Sequence, residues 1–210
     1  CRIVMEHGLD LDLDQLLVWA QAGYANVKWK LDPDQAKAKL LDFFGQRLRA
    51  LFTGQGRDTR VVDAALGAGF TDMRTLGRRL EALDAFSREA DFEQAVLTFK
   101  RAANIIRKQA AEAGVALSGA FDAARLEAVE EKALAAKLAE SEARFRQLWE
   151  QGDFAGLLGQ LRELRPAVDA FFDKVMVMCE DPVLRANRLN LLQALVERLG
   201  RLADFGALQV

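Results

Sequence analysis

Only three prolines occur in the 210 residues, at positions 33, 166 and 182, and two of them directly follow an aspartate, as Asp32-Pro33 and Asp181-Pro182. Proline lacks the N–H that a helix interior or a central strand needs, yet it suits the first turn of a helix, and an aspartate just before it can cap the free N–H groups there. The chain therefore reads as long helices with few breaks. Between the prolines the sequence is dominated by Ala, Leu, Glu, Arg, Lys and Gln, the residues that lose least on entering a helix. No segment alternates apolar and polar residues as a half-buried strand does. With 51% hydrophobic residues the chain can bury a core, as one large domain or two small helical ones.

Apolar spacings of three and four residues place the elements. They predict helices from about Asp12 to Ala22, stopped by Gly23, and from Asp32-Pro33 to about Phe52, ended by Thr53 to Gly56. A short helix capped by Asp58 carries Val61, Val62, Ala65 and Leu66. The next, capped by Thr71 or Asp72, holds Leu76, Leu80, Leu83 and Phe86. The pattern breaks between Arg88 and Asp91, which sets an expected domain boundary. From Asp91 to about Ala113, Phe92, Val96, Phe99, Ala103 and Ile106 share one face, while Lys100, Arg101, Arg107 and Lys108 lie largely off it. A loop from Gly114 to Phe121 and a turn at Asp122 to Leu126 lead to a long charged helix, Glu127 to Glu150, where Glu130 and Glu131 are expected to be solvated. A helix from Phe154 to about Leu164 is followed by one starting at Pro166 and ending at Glu180. The last opens at Asp181-Pro182 and turns Leu189, Leu192, Leu195 and Leu199 inward. The cluster of Phe171, Phe172, Met176 and Met178 has enough apolar surface to be core. Trp19, Trp29 and Trp149 are expected to be partly buried and stay outside any site.

The residue inventory excludes several chemistries. Cys1 and Cys179 lie far apart without a CxxC spacing, so neither a disulfide framework nor a zinc site is expected. His7 is the only histidine, which removes any site needing two, and reads as a helix-end residue before Gly8. No phosphate-binding glycine loop, no G-x-S-x-G and no paired metal ligands occur, so no catalytic residue is assigned. No apolar run is long enough to span a membrane and no secretory signal is recognisable, which makes the cytoplasm the default compartment. The first residue, Cys1, enters directly on a helix-like run, so the chain is expected to be an excised fragment. The net charge of -2 conceals a gradient: residues 37 to 108 carry 14 Lys/Arg against 9 Asp/Glu, residues 109 to 184 carry 8 against 14, and residues 185 to 210 carry 4 against 2. Two basic regions thus flank an acidic one, which suits a polyanionic partner but also an ordinary solvated surface.

Three segments carry a resemblance. Phe99-Lys100-Arg101-Ala102-Ala103-Asn104-Ile105-Ile106-Arg107-Lys108, then Glu130-Glu131-Lys132-Ala133-Leu134, then Val168-Asp169-Ala170-Phe171-Phe172-Asp173-Lys174-Val175-Met176-Val177-Met178 resemble, in that order, the C-terminal region of the bacterial glycyl-tRNA synthetase β subunit. Glu180 to Leu189 and the closing Ala203-Asp204-Phe205 are similar to that family's final helix, and Gly8 to Leu13 to the junction following its HD-like region. The resemblance implies an all-α fold: a helical connector over residues 1–90, then, over 91–210, a DALR-type anticodon-binding bundle. It implies binding of tRNA with a glycine anticodon, and as partners the synthetase α subunit and the remainder of the β subunit, with no DNA and no membrane. ATP and magnesium are implied for the parent enzyme, whose catalysis lies in the α subunit, and no cofactor for this region.

Cations that can meet phosphates and polar groups that can read bases fall in two places. Lys100, Arg101, Asn104, Arg107 and Lys108 recur at steps of three and four, so they can share one exposed helix face. Arg185, Asn187 and Arg188 lie in the first turns of the last helix, where free N–H groups favour an anion. Arg185 or Arg188 can equally pair with Asp169 or Asp173 as a structural clasp. A subunit-assembly module without RNA contact is the alternative functional reading.

Overall fold

The computed structural model describes residues 2–110, 112, 114 and 116–208. Cys1 and the expected helix end at Ala113 lie outside the described residues. Among the described residues nine α-helices follow in chain order: α1 (Arg2–Glu6), α2 (Leu13–Gly23), α3 (Pro33–Gly54), α4 (Thr59–Gly67), α5 (Met73–Phe86), α6 (Phe92–Ile105), α7 (Val129–Gln151), α8 (Phe154–Lys174) and α9 (Pro182–Gly200). A π turn at Ile106–Ala110 prolongs α6, and a 3-10 turn at Ala123–Arg125 precedes α7. Among the described residues there is no strand, only one isolated antiparallel bridge between Asp12 and Asp72. The chain is all-α.

Aspartates start six of these helices. Asp12, Asp32, Asp58, Asp72, Asp153 and Asp181 each accept a hydrogen bond from a backbone N–H of the first turn. Such a cap is worth about 1 kcal/mol, and Asp72 rather than Thr71 supplies it for α5.

At Pro166 the expectation of a break is wrong. Helix α8 runs through it from Phe154 to Lys174. A proline here removes one intrahelical hydrogen bond, a penalty of about 3 kcal/mol. Buried Leu157, Leu158, Leu161 and Leu164 before it and Val168 and Phe171 after it offset that loss by packing on one continuous face. The helix then stops at Lys174, not Glu180, and Val175 is extended. In extended chain successive side chains point to opposite sides. Val175 and Val177 are buried, whereas Met176 is 72% exposed and Met178 37%, so the two methionines lie outside the core to which the sequence assigned them.

The main core is continuous from Leu48 of α3 through Val62, Leu76, Phe99, Leu134, Leu157, Phe171 and Leu192 to Leu208. It crosses the turn at residues 87 to 91, where Phe86 meets Phe92 edge to face at 5.4 Å and Arg162 of α8 donates to Asp91 at 3.1 Å. Arg79 of α5, 4% exposed, binds this core to its ends: Nη1 donates to the carbonyls of Arg201 (2.9 Å) and Leu202 (3.3 Å), and Nη2 to that of Gly69. Burial pulls its pKa down to about 10, so it stays charged at neutral pH against the carbonyl end of α9. Helix α2 stands apart. It reaches the body through Leu13 and Leu17, which pack on Met73 with Leu41, Phe44 and Phe70 around them.

Candidate nucleic-acid interface

Of the five residues expected to share a face of α6, Lys100, Arg101, Asn104 and Lys108 line one groove and Arg107 does not. Because Phe92, Val96, Phe99 and Ala102 are buried, the groups one residue round the helix are turned outward. Leu97, Lys100, Arg101, Asn104, Ile105 and Lys108, joined by Glu112, line an open groove of about 700 Å³. Each polar group has a defined setting. The Lys100 ammonium is half-buried and donates to the carbonyl of Leu208 at 2.8 Å, which ties the chain's end against α6. The Arg101 guanidinium is exposed and lies 4.5 Å from the ring centroid of Phe172, so α8 supplies a flat platform that holds it across the groove. Arg107, in the π turn, donates to Asn104 Oδ1 at 2.9 Å. That contact orients Asn104 and leaves its amide N–H groups without a partner among the described residues.

Arg101, Arg107 and Lys108 are exposed and have no carboxylate partner among the described residues. Elsewhere most arginines are paired, as Arg49 is with Asp63 at 2.6 Å and Arg162 with Asp91 at 3.1 Å. The wider π turn rotates Arg107 and Lys108 relative to a regular continuation of α6. Such turns recur at functional sites. Helices α8 and α9 hold this surface from behind: Thr98 Oγ1 donates to Asp169 Oδ1 at 2.7 Å, and α9 packs on the π turn.

The second predicted group is arranged differently. Asn187 and Arg188 are 7% and 8% exposed and face inward. Asn187 Nδ2 donates to the carbonyl of Asp122 at 2.9 Å while its Oδ1 accepts from the Asp122 N–H at 2.7 Å, which fastens the loop before α7 onto α9. Arg188 donates to Glu131 from both Nε and Nη2, and its Nη1 donates to the Met176 carbonyl at 3.0 Å. Glu131 is fully buried, contrary to the expectation that it is solvated, and its Oε2 accepts from the Glu127 N–H at 2.9 Å. The anticipated clasp therefore exists with a different carboxylate. Asp169 is engaged by Thr98 and, at 3.6 Å, by Arg165, while Asp173 is exposed. Arg185 folds back onto the Cys179 carbonyl at 2.9 Å. Asp181 already accepts from the N–H groups of Val183 (2.7 Å) and Leu184 (3.1 Å), so the start of α9 carries a carboxylate where an anion would need those donors.

The sequence pattern gave no sign of Phe172 as the support for Arg101 or of the Leu208 carbonyl as the anchor of Lys100. Both contacts join residues about 70 or more positions apart. Among the described residues no group of three or more His, Cys, Asp or Glu side chains can hold a metal ion. Among them, too, no helix is long and apolar enough to cross a membrane.

Known proteins are similar to this chain in sequence. The chain is 61% identical over 210 residues to the glycine–tRNA ligase beta subunit of Solidesulfovibrio magneticus, 57% over 209 residues to that of Oleidesulfovibrio alaskensis and 41% over 210 residues to that of Rhodospirillum centenum. These alignments take in 100%, 100% and 99% of the chain but only 30%, 30% and 29% of the relatives, so the chain spans about three tenths of their length. The DALR anticodon-binding domain matches residues 96–203, which include α6 from Val96 onward with its basic face, the Glu131–Arg188 clasp and the whole of α7, α8 and α9. With that match covering more than half of its length, the chain belongs to the family of DALR anticodon-binding domains.

Proposed function

We propose that this chain is the anticodon-binding part of a glycine–tRNA ligase β subunit and that it grips the anticodon stem and loop of tRNA bearing a glycine anticodon. The observation that carries the reading is the unneutralised face of α6 and its π turn, where Arg101 and Lys108 line a groove with the apolar Leu97 and Ile105, and Arg107 stands beside it on Asn104. Cations that already sit beside carboxylates gain little from a phosphate; these three have none to displace among the described residues. Asn104, held by Arg107, offers N–H donors to the edge of an unstacked base, and the apolar floor can take the base's face. Lys100 lends charge from a fixed position. Arg185, whose guanidinium donates to the Cys179 carbonyl, is the remaining candidate from the second group, whereas Asn187 and Arg188 are buried in contacts of the fold.

In this reading the chain contributes binding energy, needs no cofactor of its own, and presents tRNA to the α subunit, where ATP, magnesium and glycine react. Soluble, cytoplasmic placement accompanies that role.

Filter binding of glycine tRNA tests it. The chain should bind with strong salt dependence, and the pair Arg101→Ala with Arg107→Ala should weaken binding more than tenfold at low salt while lowering the log–log salt slope by about 2, one unit per lost phosphate contact. Absence of binding at low salt, or a double variant with wild-type affinity and slope, overturns the proposal.

A further inference from the structure

Of the sixteen large hydrophobic residues that stand exposed on the described surface, nine fall within residues 16–43. They sit on a helical hairpin. Helix α2 runs out to the loop of residues 24–32, and the first half of α3 returns beside it, the two linked by Lys37–Asp14 at 2.7 Å and by Gln21 Nε2 donating to the Pro33 carbonyl at 2.8 Å. Trp19 is 63% exposed on α2, Phe43 48% on α3, and Tyr24 and Trp29 are 59% and 39% exposed at the tip. The tip is ordered rather than loose: Trp29 Nε1 donates to the Tyr24 carbonyl at 3.3 Å and the two rings meet edge to face at 6.3 Å. An ordered aromatic surface of this extent is more than water normally meets on a monomer and marks an interface.

Two observations select its occupant. Within residues 13–43 four aspartates match four lysines, so the hairpin has no net charge to draw a phosphate backbone, unlike the α6 groove. The chain covers only about 30% of the length of its relatives, so a polypeptide of the relatives' kind has more than twice this length of chain to place elsewhere. We infer that the outer face of the α2–α3 hairpin, centred on Trp19, Trp29 and Phe43, is an interdomain interface that is covered by a part of the same, longer polypeptide outside these 210 residues. Aromatic anchors ringed by mixed charges fit a protein partner of this kind. The inference is independent of RNA binding: it concerns a different face, one whose charges balance.

Hydroxyl-radical footprinting of the 210-residue chain and of the longer polypeptide, each alone, tests it. Trp19, Trp29 and Phe43 should be oxidised readily in the 210-residue chain, and that reactivity should be lost in the longer polypeptide. Introducing Trp19→Ser together with Phe43→Ser should restore oxidation of Trp29 in the longer polypeptide, with an unchanged circular dichroism spectrum, because the replaced side chains are exposed. Undiminished oxidation in the longer polypeptide overturns the inference. So does protection of the 210-residue chain that grows with its own concentration, which assigns the face to a second copy. Protection that appears only when tRNA or the other subunit is added likewise overturns it.

Discussion

Replacing Arg188 with alanine separates a structural role from an RNA-binding one. Its partner Glu131 is fully buried, and besides Arg188 its carboxylate receives the Glu127 N–H at 2.9 Å. Losing the guanidinium would leave a carboxylate in the core with one hydrogen bond, and would also leave the Met176 carbonyl without its 3.0 Å donor. Breaking a buried pair from one side costs about 3–5 kcal/mol, whereas replacing both members by apolar groups of similar volume is often close to neutral. For a chain of this size a loss of 1 kcal/mol lowers Tm by roughly 2–4 °C, so Arg188→Ala should lower it by about 6–20 °C. Urea unfolding should show a reduced midpoint with an unchanged slope. The pair Glu131→Leu with Arg188→Met should recover most of the loss, giving a coupling energy of about 2 kcal/mol or more in the double-mutant cycle. As an internal contrast, Lys137→Ala breaks an exposed pair with Glu140, where both side chains are more than half accessible, and the effect should stay below about 1 kcal/mol. The apolar double variant should also keep wild-type affinity for glycine tRNA. An Arg188→Ala loss below about 1 kcal/mol, or a double variant as unstable as the single, would refute the buried-clasp account; a folded double variant that no longer binds tRNA would return Arg188 to the binding site.

Three further outcomes follow from the packing. Arg79→Met keeps the volume but leaves the Arg201, Leu202 and Gly69 carbonyls unmatched, and should cost about 2–4 kcal/mol by urea unfolding, while surface Arg74→Met should be nearly silent. Pro166→Ala restores a hydrogen bond inside α8 and should raise stability by about 1–2 kcal/mol in calorimetry, the gain limited by the looser unfolded chain; a loss would mean that the proline itself serves the fold. At Gly67 a Cβ would lie 2.9 Å from the Asp204 Cβ, so Gly67→Ala should cost about 1–3 kcal/mol as the end of the chain is pushed off α4.

The legible parts of this molecule are those fixed by neighbours in sequence. Aspartate caps, the two Asp-Pro starts and the three-and-four spacing of apolar residues placed the helices to within a few residues, because each is a local rule of backbone donors and helix geometry. The Pro166 break failed for the converse reason. A local penalty is outweighed by leucines and phenylalanines that meet the neighbouring α7 and also α5 and α6, helices far from α8 in the chain. Met176 differs for the same reason: a helix continuing to Glu180 would put it on the apolar face, whereas α8 ends at Lys174 and leaves it on extended chain.

The cations divide along the same line. From spacing alone, Arg101 and Arg188 are equivalent, each a cation with a nearby asparagine on an amphipathic helix. What distinguishes them is whether a carboxylate from another helix reaches the guanidinium, and Glu131 lies 57 residues from Arg188. Its glutamate neighbour, Glu130, shows the degree of chance involved: one step round α7 changes the carboxylate from fully buried to only half-buried, since consecutive helix positions point about 100° apart. The α6 groove keeps its charge because α8 offers Arg101 a phenylalanine face instead of an acid. An acid placed there would pair with Arg101 and remove the cation from the surface. Phe172→Glu should therefore abolish the salt-dependent part of tRNA binding contributed by Arg101, and Phe172→Tyr should preserve it. If both substitutions bind alike, the phenylalanine platform has no part in presenting the charge.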